Sequence, residues 1–173
     1  SHLYVHDLKA GKTKQITNGA FEIHDAELSG DNSKFYITAN KSDAGNRDFL
    51  HLDVETGAWT TILAGSGNYE VSVSPDEKKL AYRHSFKNKP WELYVSGNHA
   101  KANIVQITKS TTNEFNKIAW IEPEIIRFKA SDGLEVPARL YKPEAEKTVN
   151  KAVIFVHGAG YLQNAHNWWS GYY

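Results

Sequence analysis

The sequence contains no cysteine and no methionine. Without cysteine there is no disulfide framework, no thiolate metal site and no cysteine nucleophile. A chain without Met that opens directly in the strand-like LYVHDL reads as an internal piece of something longer. An excess of either charge is also lacking, since 20 Lys and Arg face 20 Asp and Glu with no long block of one sign. That excludes the electrostatic footprint of a nucleic-acid binder or of a protein drawn to an anionic membrane. No apolar run approaches the roughly 18 residues of a bilayer span, and Ser1-His2-Leu3-Tyr4 lacks the charge-then-apolar order of a signal peptide.

What is present is ordinary globular material: 40% hydrophobic and 23% charged residues in 173, enough for one core or for a domain and part of another. A repeat runs through it. LYVHDLKAGKTKQIT at 3–17 resembles FLHLDVETGAWTTIL at 49–63, and ELYVSGNHAKANIVQIT at 92–108 is a looser copy. Between them AELSGDNSKFYITANK at 26–41 matches VSVSPDEKKLAYRHSF at 71–86, a spacing of about 45 residues. Each unit reads as short period-2 strands joined by tight turns, with Ser29-Gly30-Asp31 and Ser74-Pro75-Asp76 as turn chemistry and Gly11 and Gly57 where positive φ is wanted. Four strands in about 45 residues is the size of a propeller blade. A β-sandwich also has short alternating strands, but it does not predict the same turn residues at a fixed period. Residues 1–120 are therefore expected to be about two and a half blades, the C-terminal part of a β-propeller. Blades bury their faces on neighbours, so the remaining portion of the same polypeptide is the expected partner.

The pattern changes after Trp120. Ile126 to Ala130 alternates, Ser131-Asp132-Gly133 turns the chain, and Leu134 to Tyr141 returns with Pro137 marking an edge or bulge. This crossover hairpin and a polar loop from Pro143 onward occupy 121–150. Residues 151–173 then open with Ala152-Val153-Ile154-Phe155-Val156, which does not alternate. Apolar residues on both faces are the mark of a covered parallel strand, so an all-β region is expected to give way to the truncated start of an α/β-hydrolase domain. Asn164 stands as a helix cap, with Ala165, Trp168, Trp169 and Tyr172 spaced as a buried stripe.

Between strand and stripe lies His157-Gly158-Ala159-Gly160-Tyr161, outside the carboxyl end of a strand, where α/β sheets bind ligands. A loop in that place builds the oxyanion hole of α/β-hydrolases. Acyl transfer pushes charge onto a carbonyl oxygen, and each preorganised donor lowers the barrier by roughly 2.7–4 kcal/mol. Gly158 and Gly160 allow a tight turn and close backbone approach, and His157 and Tyr161 are the side-chain donors. Taken alone, His-Gly after a strand is also simply a turn.

The order of blades, hairpin, apolar strand and HGxG-type loop resembles the prolyl oligopeptidase family of serine peptidases. Within it, IRFKASDGLEVPARLYKP and AVIFVHGAGYLQNAHNWW are most like bacterial members of the dipeptidyl peptidase IV-like branch. The resemblance implies a peptidase whose propeller screens a Ser-His-Asp site and admits peptides, with an extracytoplasmic, for instance periplasmic, location. His157 falls at the oxyanion-framing position that carries Tyr in other branches. No triad can be drawn here: no Ser stands in G-x-S-x-G, Ser66 being flanked by Ala64 and Asn68, and the nucleophile would come after the oxyanion strand. The adjacent Glu pair that grips a substrate amine in the dipeptidyl branch is absent, and Glu122 and Glu124 are no substitute. His157 and His166 lack zincin spacing, so neither metal nor cofactor is expected. The chain alone is expected to be inactive, and the parent to hydrolyse peptides, releasing short N-terminal pieces. The alternatives are a non-catalytic propeller binding module and a propeller-capped esterase.

Overall fold

In the computed structural model, which describes residues 1–144, 151–158, 160 and 162–170, the alternating segments form antiparallel strands wherever turn residues reverse the chain. β1 (Tyr4–Asp7) and β2 (Lys12–Gln15) pair as a hairpin. β3 (Ile23–Leu28), β4 (Lys34–Ala39), β5 (Asp48–Asp53) and β6 (Trp59–Leu63) form one four-stranded sheet in sequence order. β7 (Asn68–Val73), β8 (Lys79–Phe86), β9 (Lys89–Gly97) and β10 (Ile104–Gln106) form a second of the same kind. A short helix, α1 (Asn113–Lys117), capped by the Thr112 side chain, precedes a last hairpin of β11 (Glu124–Lys129) and β12 (Glu135–Leu140). A sequential four-stranded meander is the form of a propeller blade.

The repeats recur hydrogen bond for hydrogen bond. The Ser29 hydroxyl donates to Asp31 at 2.7 Å and accepts from Lys34 N at 3.1 Å; Ser74, Asp76 and Lys79 do the same at 2.6 and 3.0 Å. Two further bonds from Ser33 complete the set on Asp31 and hold its carboxyl down to about 2. Asp7 and Asp53 each accept two main-chain N–H groups of their turns, and Gly11 and Gly57 close them at φ 62° and 71°, where a side chain would be strained. Leu3 N donates to Thr17 Oγ1 at 2.9 Å as Leu93 N does to Thr108 Oγ1 at 2.8 Å. Hence β1–β2 matches the outer pair β9–β10 of a blade.

The core lies between these sheets. On β4 and β5, Tyr36 and Phe49 face the second blade and pack with Leu63, Leu80 and Tyr82. Their neighbours Ile37, Ala39, Leu50 and Leu52 face the other way, against Leu3, Ile16, Phe21 and Trp59. A blade covered on both faces explains why no residue of β4 or β5 is exposed. Each large apolar side chain so covered contributes about 1.5–3 kcal/mol.

After β12 the expected elements are not formed among the described residues. No strand forms over 152–156, and Val153, Ile154 and Val156 are 100%, 84% and 83% exposed. A strand apolar on both faces needs a neighbour at its edges and cover on its faces, and the described residues provide neither. An α/β layer is thus not present among the described residues. Nor does a helix begin at Asn164: residues 162–170 run as bends and irregular chain, because the main-chain groups of Asn167 are taken by the turns at Gly45 and Lys87, the Trp168 carbonyl by Arg139 of β12 and the Trp169 N–H by Ser85 of β8. Tyr172 and most of the polar loop beyond Pro143 lie outside the described residues.

Candidate functional site

His157, Gly158 and Gly160 lie on the surface, while Ala159 and Tyr161 fall outside the described residues. The His157 ring is 2.7 Å from the Gly158 carbonyl oxygen through Nδ1. Among the described residues a Cβ at Gly158 or Gly160 would meet nothing within 4 Å. Nδ1 of His2 and of His6 lies on a threonine hydroxyl, Nε2 of His2 on the Gly19 carbonyl, Nε2 of His51 on Asn98, and Nδ1 of His84 and of His99 on main-chain carbonyls. Ser66, the nearest approach to a nucleophile motif, is exposed in the turn before β7.

Polar groups converge instead just beyond the loop, where residues 163–169 cross the ends of both blades. Gln163 donates to Ala44 O at 2.8 Å and accepts from Arg47 Nη2 at 3.0 Å. Asn167 N donates to Gly45 O at 2.9 Å, its side chain donates to Asn46 Oδ1 at 2.9 Å, and its carbonyl accepts from Lys87 N at 2.6 Å. Trp169 N donates to the hydroxyl of Ser85, which is fully buried, at 2.8 Å. Arg139 on β12 reaches across to donate to Trp168 O at 2.8 Å and Lys87 O at 3.2 Å. The Trp169 ring meets Phe115 and Trp120 at 5.5 and 5.2 Å between centroids. Beneath this strip Gly67 is irreplaceable, because a Cβ there would stand 2.0 Å from Ser85 O.

The electrostatics of the strip centre on His166, which is 6% exposed. Its ring stacks on Trp168 at 3.9 Å, and Arg47 lies over the same indole at 5.1 Å. Nδ1 is 3.3 Å from Arg139 Nη1. Burial first, and then the positive charges of Arg139 and Arg47, hold the imidazole down at about 4, so it is neutral.

Arg47 also lines a cavity of about 610 Å³ beside β3, β7 and β8, with His24, Asp25, Tyr69, Glu70 and Arg83 in its wall. Arg83 Nε donates to Glu70 at 3.0 Å, while Arg47 has only neutral acceptors among its hydrogen bonds: Ala44 O, Asn46 O and Gln163. Among the described residues no three His, Asp or Glu side chains gather to hold a metal ion, and no helix is long and apolar enough to cross a membrane.

Sequence reasoning singled out Trp168 and Trp169 as packing residues, which they are, but on a helix that does not form. It passed over Arg47, Ser85 and Arg139. Only an arginine within a strand and the tight Lys87-Asn88 hairpin turn hinted at them.

The model of the dipeptidyl peptidase IV (DPP IV) N-terminal region matches residues 1–91. No curated protein sequence matches the chain significantly. Among solved structures, the acylaminoacyl peptidase of Pyrococcus horikoshii is similar at 24% identity and a TM-score of 0.59, over 83% of this chain and 21% of that one. Dipeptidyl peptidase 4 of Porphyromonas gingivalis is similar at 15% identity and a TM-score of 0.67, over 82% of this chain and 20% of that one. These likenesses are of fold, and the chain spans about a fifth of the length of either protein. With the family match covering more than half of its residues and its sheets built as propeller blades, the chain belongs to the dipeptidyl peptidase IV-like branch of the prolyl oligopeptidase family, residues 1–91 falling in its N-terminal region.

Proposed function

We propose that this chain is the junction between propeller and hydrolase in a serine peptidase that cleaves peptides and releases dipeptides or other short N-terminal pieces. The observation that carries the reading is an order of elements. Blades of the family lead through the hairpin β11–β12 into the apolar run 152–156 and then His157-Gly158-Ala159-Gly160-Tyr161. In the parent, that run is the first central strand of the hydrolase sheet, whose other strands cover the apolar residues exposed here.

The loop's part in the chemistry comes from where charge develops. A serine hydroxyl elsewhere in the polypeptide attacks the scissile carbonyl, a histidine takes its proton and returns it to the leaving amine, and an acid orients that histidine. The carbonyl oxygen becomes negative in this step, and donors of residues 157–161 stabilise it. The rest of the same polypeptide supplies the triad, and a location outside the cytoplasm goes with this reading.

The test is labelling of the full-length gene product by a fluorophosphonate probe, with cleavage of a peptide substrate compared with an ester. Labelling and peptide cleavage, both lost when the serine of a downstream G-x-S-x-G is replaced, support the proposal. A full-length protein without that motif that takes no label is a binding module, and one that cleaves esters alone is an esterase.

A further inference from the structure

We infer that residues 163–169 are a clasp that fixes the outgoing end of the 157–161 loop to the propeller, with Arg139, Arg47 and Ser85 as positioning residues. The inference rests on the oxyanion reading above. Gln163 is two residues beyond Tyr161, and two residues of chain span at most about 7 Å. Anchoring Gln163 to Ala44 and Arg47 therefore holds the chain within that reach of the loop. Donors that stabilise an oxyanion must be held to within about 0.5 Å, which loops achieve only when their supports are rigid.

The supports here are drawn from widely separated parts of the chain: the loop between β4 and β5, the end of β8 with its turn, and β12. The Ser85 hydroxyl that receives Trp169 N sits on β8 and also donates to Lys89 O at 2.8 Å, so it is oriented from both sides. Of the main-chain polar groups of Lys87, in the turn after β8, the N–H donates to Asn167 O of the strip and the carbonyl accepts from Arg139 of β12. Arg139 closes the clasp from the other side, because β12 leads directly into the segment that carries the loop. Its guanidinium fork reaches Trp168 O and Lys87 O together, a span that the single ammonium of a lysine does not reproduce. One arginine thus joins the hairpin, the strip and the second blade. The two aromatic contacts of Trp169 fasten the strip to α1 and Trp120, the last residues before the hairpin.

The experiment combines amide hydrogen exchange with steady-state kinetics on the full-length gene product, comparing wild type with Arg139→Ala, Arg139→Lys and Ser85→Ala. We expect the amides of Asn167 and Trp169 to be protected in wild type. Their protection falls in Arg139→Ala and in the smaller change Ser85→Ala, while amides of β4 and β8 stay protected. In the same variants kcat for peptide hydrolysis falls by about 10- to 100-fold, the cost of a displacement near 1 Å, with KM changed less than about twofold. Arg139→Lys lies between. Free exchange of both amides in wild type overturns the clasp. Lost protection with unchanged kcat overturns the positioning role. A wild type that shows the expected protection but neither takes the fluorophosphonate nor cleaves peptides overturns the peptidase reading and the positioning role with it, and upholds the clasp as a structural element.

Discussion

The main-chain N–H of Gly30 donates to the Glu77 carboxylate across the junction of the two blades, at 2.6 Å. The two residues sit in equivalent turns, Ser29-Gly30-Asp31-Asn32 and Ser74-Pro75-Asp76-Glu77. The fourth residue of each has positive φ, 60° at Asn32 and 58° at Glu77. Asparagine tolerates that conformation and glutamate does so poorly. Glu77 accepts the strain because its carboxylate reaches the preceding blade. Replacing it by alanine keeps the strain and loses a charge-assisted bond, which should lower stability by about 1–2 kcal/mol in urea unfolding. Glu77→Gln, which keeps an acceptor oxygen, should lose less than half as much. An alanine variant as stable as wild type would show that the bridge contributes nothing to the junction.

Leu80 carries the same junction in apolar form. It is fully buried on β8 in a cluster with Tyr36, Phe49, Leu63 and Tyr82, so it belongs to the second blade by sequence and to the contact between blades by packing. Leu80→Ala should cost about 2–5 kcal/mol, and Leu80→Met under about 1.5. Because the cluster draws on both sheets, we expect a single transition that moves as a whole. Two separate transitions, with one unmoved, would mean that the blades unfold independently.

The blades were legible because their signal is local. Ser-x-Asp and Asp-x-x-x-Gly turns fix where each strand ends through bonds of two to five residues' reach, so the same letters at a fixed period give the same hairpins. Beyond Tyr141 the letters depend on partners outside the described residues. The run 152–156 and the stripe Ala165, Trp168, Trp169 look like a covered strand and a buried helix, but such elements form only against other layers. Within this chain the stripe found partners on the blades instead. Its anchors Arg47, Ser85 and Arg139 lie 29 to 121 residues away along the chain, and no periodicity relates positions so far apart. The candidate loop was legible as a motif alone; its glycines meet no neighbour here.

The exposed run carries its own consequence. Val153, Ile154 and Val156 face solvent in a stretch with no charge and no proline, bounded by Lys151 and His157. Such a segment is a template for intermolecular strand pairing. The 173-residue chain should therefore associate with rising concentration, and Ile154→Lys should suppress this in light scattering without changing far-UV circular dichroism. Equal scattering from both proteins would place the sticky surface elsewhere, with the open edge at β10 the next to test.

His166 makes the strip sensitive to acid. Docked, its Nδ1 is placed to accept from Arg139 Nη1 and from Trp168 N, at 3.3 and 3.4 Å, so the ring is neutral with its proton on Nε2. Protonation turns that acceptor into a donor and sets a cation beside Arg139 and near Arg47. The imidazole is lowered from 6.5 to about 4 in the docked state. An undocked strip therefore binds a proton as pH falls below 6.5, while the docked one does not until about 4. Docking is at full strength above pH 6.5 and weakens progressively as pH falls toward 4. His24, His51 and His84 are also lowered by burial, so global stability declines over an overlapping range and only a local probe isolates this effect. The Trp169 amide, hydrogen-bonded to Ser85, is that probe. Its protection should drop between pH 6.5 and 4.5 faster than that of β4 amides, and His166→Gln should flatten the difference. Parallel loss at both places, unchanged by the substitution, would show that the strip responds only to the fold beneath it.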